Sequence, residues 1–324
     1  MEEHFVKEID GAFQGVFSGK LRRYFDWKNF ADIFKIMGGF FQSIWILAKF
    51  RPSVVFTKGG FVTVPVGIAA WILRIPLIIH ESDLTPGLAN RILMPFAKKV
   101  CVSFEETLKY VKNGVFTGNP LRQSLIPKDK KEQEDWKRKA YAETGFDPKL
   151  PLVLVLGGSS GSQSLNEKMV SILNDLKDVQ VVLQTGKGKQ AFPKTTDQRP
   201  QTHLRQYEYL DEESQKYLLQ VADVVVSRAG AGSLFELASL GKALIAVPLG
   251  MRGSRGDQIR NAEIFENSEA ILVHKDEDSA SDLLHKIHNI LENSDLKRQL
   301  EKNIRTFSMR GSTEKVVEEL FLQI

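Results

Sequence analysis

The sequence predicts an α/β protein of two doubly wound, Rossmann-like domains that face a cleft. Short apolar runs alternate with helical patterns from end to end, and at 324 residues the chain exceeds one typical domain. Three of the apolar runs also end in glycine turns, at Gly59, Gly157 and Gly230, where an open α/β sheet binds ligands. None of these turns fits G-x-G-x-x-G with an acidic residue downstream, which argues against a dehydrogenase.

Composition removes several classes. Apolar content of 42% and charged content of 26% are ordinary for a globular chain. A net charge of +4 is too small to argue for nucleic-acid binding, and none is expected. The single cysteine, Cys101, excludes an intramolecular disulfide and sits in an apolar run, as a buried strand thiol would. With no C-x-x-C pair, His-x-x-x-His spacing or acidic loop, no metal is expected. No apolar run reaches the roughly 20 residues that span a bilayer. The longest, 62–79, is interrupted by Pro65, Gly67, Arg74 and Pro76, and the acidic start MEEHFVKEIDG does not resemble a signal peptide. A cytosolic chain that can touch a membrane is the expectation.

In order, residues 1–11 read as helix, followed by a short strand at 13–17. In 18–30, Lys20, Arg22, Arg23 and Lys28 interleave with Leu21, Tyr24, Phe25, Trp27 and Phe30. This is either a loop with inward aromatics or a surface for anionic headgroups. Residues 31–50 carry a strongly apolar helix pattern, read as core. A strand at 53–56 leads into Thr57-Lys58-Gly59-Gly60, a helix at 64–73 and a strand at 76–80. His80, Glu81 and Asp83 then fall within four residues at a strand's carboxyl edge. One carboxylate there could act as general base or position a hydroxyl; capping of the helix near Pro86 by Asp83 or Thr85 explains one polar residue, not all three. Further strands are expected at 100–104 and 115–117, and Arg122, after Pro120, is available to a phosphate. The charged run 127–145 reads as a solvated helix.

The second half opens with LVLVL, 152–156, a fully buried strand by its unbroken apolar character. The hydroxyl-bearing turn Gly157-Gly158-Ser159-Ser160-Gly161 follows it. Strands are expected at 179–184, 204–207, 224–226, 244–247 and 270–273, with helices at 278–292, 295–307 and 312–322. Between strands 224–226 and 244–247 lies Arg228-Ala229-Gly230-Ala231-Gly232-Ser233, which opens a helix. Free N–H groups and the positive end of the helix dipole would make that turn an anion site, and Glu236, one turn on, could accept hydrogen bonds from a ribose diol. The competing reading is a glycine turn that only lets helix and strand pack closely. His285 and His288, with no third ligand nearby, read as surface residues.

Seven collinear stretches cover nearly the whole chain: SGKLRRYFDWKNF, TKGGFVTVPVGIAAWILRIPLIIHE, PGLANRIL, GNPLR, GGSSGSQSLN, ADVVVSRAGAGSLFELASLGKALIAVPL and DQIRNA. Together they resemble the MurG family of peptidoglycan glycosyltransferases, which have the GT-B fold. The resemblance implies an inverting transfer of GlcNAc from UDP-GlcNAc to lipid I, giving lipid II, without a cofactor, on the cytoplasmic face of an anionic cell membrane. It implies an acceptor- and membrane-side domain over 1–125, rejoined by the helix 308–324, and a donor domain over 126–307. Leu210 and Ala231–Ser233 would line uracil and ribose, Glu236 would bind the ribose hydroxyls, Arg122 and Ser159 would approach the pyrophosphate, and Gln258 would contact GlcNAc. Arg228, Gly230 and Gly232 fall in the same donor turn, Gly59, Gly60 and Asn90 on the acceptor side, and Glu81, Asp83 and His80 at the chemistry. The family opens with a strand and a His-bearing glycine loop, which this sequence is expected to lack. Its His-Glu-Gln-Asn reads His80-Glu81-Ser82-Asp83 here, and Ser160 replaces a Gln. An impaired donor-binding homologue, or a glycolipid synthase with another acceptor, are the alternatives.

Overall fold

The computed structural model describes residues 6, 11–18, 28–158, 161–189, 203–251 and 256–324, with the side chains of 28–34 excepted. The chain divides into two compact units, Met1–Gly118 with Glu314–Ile324, and Asn119–Thr313. The division falls earlier than the boundary expected at 125/126. The cause is the short 3-10 turn Gln123–Leu125, which buries Leu125 and packs against a helix of the second unit.

In the first unit the described strands are β1 (Val55–Thr57), β2 (Leu77–Glu81), β3 (Lys99–Val102) and β4 (Gly114–Phe116). They are parallel and lie in the order β1-β2-β3-β4. Helices α1 (Lys28–Phe50), α2 (Thr63–Ile72) and α3 (Leu88–Leu93) accompany them. Small residues set the helix spacing: Ala69 and Ala70 of α2 are fully buried, and a Cβ on Gly67 would come within 2.7 Å of Leu93. The last helix, α11 (Ser312–Phe321), returns the chain to this unit, where Val316 packs with Ile78 and Cys101. Cys101 is buried in β3, and burial pushes its thiol up to about 11.

Two expectations for the amino-terminal region fail. Residues 11–18 form no strand. They run along α1, where Phe17 N–H donates to Gln42 Oε1 (3.0 Å) and Gln42 Nε2 donates to Gly15 O (2.9 Å). The Phe17 carbonyl would lie 1.9 Å from a Cβ at Gly39, so only glycine admits the segment there. Helix α1 is also not simply core. It buries one narrow stripe, Gly39, Ser43 and Leu47, and exposes Met37, Phe41 and Trp45.

The second unit carries β5 (Leu152–Leu156), β6 (Gln180–Gln184), β7 (Leu204–Tyr207), β8 (Val224–Ser227), β9 (Leu244–Ala246) and β10 (Leu272–Val273). All are parallel, in the order β10-β9-β8-β5-β6-β7. Helices α4 (Lys130–Thr144), α5 (Gln163–Ile172), α6 (Glu212–Val221), α7 (Ala231–Leu240), α8 (Asp257–Asn267), α9 (Ala280–Glu292) and α10 (Ser294–Ile304) accompany the sheet. Every residue of β5 is buried, each side chain contributing about 1.5–3 kcal/mol of transfer free energy. Helix α6 escapes the periodicity reading because its buried residues run consecutively from Tyr217 to Val221 instead of at helical spacing, yet its start carries a cap: Asp211 accepts from Ser214 N–H at 2.8 Å.

Strand order locates the ligand edge. The chain builds outward from β5 to β6 and β7, then crosses back to β8 on the other side and continues to β9 and β10. The reversal lies between β5 and β8, and doubly wound sheets hold ligands at the carboxyl ends of the strands flanking such a switch. Leu156 pairs with Ser227, so the two strands end level and the turns after them, at 157 and 228, emerge side by side.

Candidate functional site

The two turns at the switch point owe their glycines to different causes. After β5, a Cβ on Gly157 would stand 2.8 Å from Ser162 N, and one on Gly161 would stand 2.2 Å from the Thr185 carbonyl. Gly161 also has φ +69°, so the fold itself demands both glycines. Ser159 and Ser160 lie outside the described residues.

After β8 the situation is reversed. Gly230 has φ −68° and ψ 140°, open to any residue, and a Cβ on Gly230 or Gly232 would meet no atom within 4 Å. Neither packing nor backbone strain requires glycine at these positions. What their small size leaves open is access to the N-terminus of α7, where no side chain caps the first turn. The N–H groups of the Ala231–Ser233 turn and the helix dipole form the uncapped anion site that the sequence suggests.

Arg228 does not point into that space. Its Nη1 donates to Val247 O (3.1 Å), Pro248 O (3.4 Å) and Asp276 Oδ1 (3.0 Å), and its Nη2 to Ser162 Oγ and Ser164 Oγ. It thereby ties the β5 turn, the end of β9 and the loop after β10 together, and its side chain is 11% exposed. Burial opposes ionisation of Asp276, but the Arg228 hydrogen bond and charge outweigh it and hold the carboxyl below its usual range.

Glu236 is occupied. Arg122 Nε donates to its Oε1 at 2.7 Å and Arg122 Nη2 to its Oε2 at 2.8 Å, a bidentate pair, and Arg122 Nη1 donates to Gln215 Oε1 at 3.3 Å. The Glu236 hydrogen bond is the main reason the guanidinium is held still more firmly protonated than usual. The sequence gives these two residues separate tasks; the fold brings them into contact across 114 positions. Leu210 is buried just before α6, while Tyr209 beside it is 60% exposed. Gln258, on α8, accepts from Leu249 N–H at 2.9 Å, which orients its amide. Gln215 and Tyr209 are the residues that sequence reading passes over. An aromatic set between a strand's carboxyl end and a helix cap was the available signal for Tyr209, and Gln215 carried none.

In the first unit, His80 is fully buried on β2; its Nε2–H donates to Gly118 O (3.0 Å), and Nδ1 accepts from Ser82 Oγ (3.3 Å). Burial lowers its pKa to about 4, against the opposing Gly118 hydrogen bond. It is a neutral scaffold side chain rather than an accessible base. Glu81 is 4% exposed, and both oxygens are engaged: Oε1 accepts from Asp83 N–H (3.0 Å), and Oε2 from Gly87 N–H (2.9 Å) and Asn90 Nδ2 (2.8 Å). Burial raises its pKa while those hydrogen bonds oppose the rise. The carboxylate shapes the loop 82–87, and Asp83, half-buried, is carried by that loop. Gly59 (φ +88°) lies over the Asn90 amide, where a Cβ would stand 3.3 Å away, and Gly60 (φ +93°) faces open space. Thr57 Oγ1 and Asn90 Oδ1 are buried here without a hydrogen-bond partner.

Among the described residues one group has metal-ligating types together, His274, Asp278 and Asp282, within 4.8 Å. Ammonium groups already serve it: Lys168 Nζ donates to His274 Nε2 at 2.9 Å, and Lys286 pairs with Asp282. That network closes the loop after β10, because Lys168 also donates to the carbonyls of Lys275, Asp276 and Asp278.

Two parallel α/β units, one with an uncapped glycine turn at its switch point, have the architecture of the GT-B fold. Solved structures share this fold: Acinetobacter baumannii MurG (TM-score 0.71, 23% identity, 98% of this chain and 87% of that one) and a UDP-GlcNAc 2-epimerase from Neisseria meningitidis bound to UDP-GlcNAc (TM-score 0.69, 12% identity, 89% and 81%). Sequence comparison narrows the class. The glycosyltransferase family 28 C-terminal domain matches residues 152–316 and the N-terminal domain of the same family residues 1–102. A Clostridium perfringens protein is 42% identical over 95% of this chain and 83% of its own length, and is named UDP-N-acetylglucosamine--N-acetylmuramyl-(pentapeptide) pyrophosphoryl-undecaprenol N-acetylglucosamine transferase. A Geobacillus kaustophilus protein of the same name is 43% identical over 91% of this chain and 81% of its own length. The chain belongs to glycosyltransferase family 28.

Proposed function

We propose that this protein transfers N-acetylglucosamine, with inversion, from UDP-GlcNAc to the muramyl sugar of the undecaprenyl-pyrophosphoryl acceptor lipid I, yielding lipid II. The observation that carries this reading is the β8–α7 turn, whose glycines no packing or backbone constraint requires and whose helix end is uncapped. Diphosphate would sit against the N–H groups of Ala231–Ser233 with Arg122 and Ser159. Uracil and ribose would lie against Leu210, with Glu236 on the ribose diol and Gln258 on the sugar. Charge developing on the departing UDP is stabilised by those fixed donors and the α7 dipole, a mode that asks for no cofactor.

On the acceptor side, next to Gly59 and Gly60, Asn90 Oδ1 and Thr57 Oγ1 are buried without partners; a substrate hydroxyl could donate to Asn90 Oδ1, and Thr57 Oγ1 could donate to a hydroxyl or phosphate oxygen. Asp83 is the carboxylate we assign to deprotonating the attacking hydroxyl, since Glu81 spends both oxygens on its own loop. No described helix is long and apolar enough to cross a membrane. The exposed stripe Met37, Phe41 and Trp45, with Trp71 and Ile72, instead suits contact with the cytoplasmic surface of an anionic membrane, alongside the basic–aromatic stretch that includes Arg22 and Arg23, which lie outside the described residues.

The test is transfer of labelled GlcNAc from UDP-GlcNAc to a soluble lipid I analogue. Asp83→Asn should lower kcat at least 100-fold with UDP-GlcNAc affinity unchanged. Donor binding without transfer to the acceptor would refute the reading.

A further inference from the structure

The geometry points to a donor-sensing exchange: the Arg122–Glu236 ion pair makes recognition of the donor's ribose conditional on its diphosphate. This rests on the donor-site reading above, in which Arg122 meets phosphate and Glu236 meets the ribose diol, and adds that the two contacts compete before the donor arrives. A vicinal diol binds a carboxylate best through both oxygens. Here both are taken by one planar guanidinium, through parallel hydrogen bonds of 2.7 and 2.8 Å. Gln215 holds the third face of that guanidinium at 3.3 Å, so the pair is supported from α6 as well as α7.

A nucleoside alone offers Arg122 nothing to replace Glu236 and must break the pair without compensation. A diphosphate offers a stronger, more highly charged acceptor at the N-terminus of the same helix that carries Glu236. Transfer of Arg122 to the phosphates then releases both Glu236 oxygens for the ribose. Arg122 is able to move, because its side chain is 42% exposed while that of Glu236 is 17% exposed. The site thereby disfavours uridine, although uridine holds every group that Glu236 and Leu210 would contact.

The consequence is a reversal of sign that independent contacts do not give. An apparent dissociation constant is the intrinsic one divided by the fraction of protein in the binding-competent state. A partly exposed bidentate pair imposes a factor of about five. The experiment titrates the full chain with uridine, UDP and inorganic pyrophosphate, by NMR for the weak ligands and calorimetry for UDP. Arg122→Ala should bind uridine about fivefold tighter than the parent while binding UDP at least tenfold more weakly. Glu236→Ala should bind uridine more weakly and pyrophosphate more tightly. Arg122→Met, which keeps the aliphatic stem, repeats the first result without opening a gap beside α7. Uridine affinity that is unchanged or weaker in both Arg122 variants, with Glu236→Ala still impairing uridine, overturns the exchange alone. Uridine and UDP binding that is indifferent to Glu236→Ala overturns the donor-site reading and the exchange with it.

Discussion

Replacing Gly230 with Asp separates architecture from ligand binding at the β8–α7 turn. Gly230 is the N-cap of α7, in the extended conformation every good capping residue adopts, with free space where its Cβ would go. An Asp carboxylate there can accept from the first-turn N–H groups, and Asp exceeds Gly at this position by a few tenths of a kcal/mol. The fold should therefore be unchanged or slightly more stable, with Tm within about 2 °C of the parent or above it. The donor should suffer, because the new anion occupies the anion site. At about 4 Å, like unit charges repel by about 1 kcal/mol in a water-like medium and about 4 kcal/mol at the effective dielectric of a protein surface. UDP-GlcNAc affinity is thus expected to fall between about fivefold and 1000-fold, read by calorimetry beside a thermal melt of the same sample. Gly230→Ala, which adds bulk without charge, should lose less. A Gly230→Asp protein that keeps its donor affinity within twofold would show that the turn holds no phosphate, and a fall in stability above about 1 kcal/mol would return the glycine to an architectural role.

Three further outcomes follow from the geometry. Glu81→Gln leaves one oxygen for three donors, those of Asp83, Gly87 and Asn90, and should cost about 2 kcal/mol, seen as a lower urea midpoint with an unchanged m-value. His80 has a folded pKa of about 4 against 6.5 unfolded, so the unfolded chain binds the extra proton; stability should fall as pH drops from about 6.5 to 4, by on the order of 3 kcal/mol in all, and His80→Gln should remove that slope in urea titrations at stepped pH. Arg228→Ala should cost about 3 kcal/mol by freeing Asp276, Ser162 and Ser164 at once; because the Asp276 pKa is depressed, its share of that loss should disappear as pH falls below about 4, and a penalty independent of pH would remove the ion pair from the account.

The sequence by itself determined the alternation of strand and helix, because buried parallel strands need unbroken apolar runs such as LVLVL and helices need their 3.6-residue stripe. It also determined where the glycine turns fall and, through the collinear resemblance, the family. These are local or motif-level properties, carried by neighbouring residues. The tertiary structure decided what each marked residue does. Strand order put β5 beside β8 and thereby made their two turns a single edge. The space around each glycine separated Gly157 and Gly161, which the fold requires, from Gly230 and Gly232, which it does not. Arg122 and Glu236, 114 positions apart, became partners, and Arg228, expected at the donor, and Glu81 and His80, expected at the chemistry, were found hydrogen-bonded to neighbouring loops. The physical reason is the same in each case. A polar side chain's role is set by which donors and acceptors surround it and by how much water is excluded, and both are fixed by residues distant in the chain.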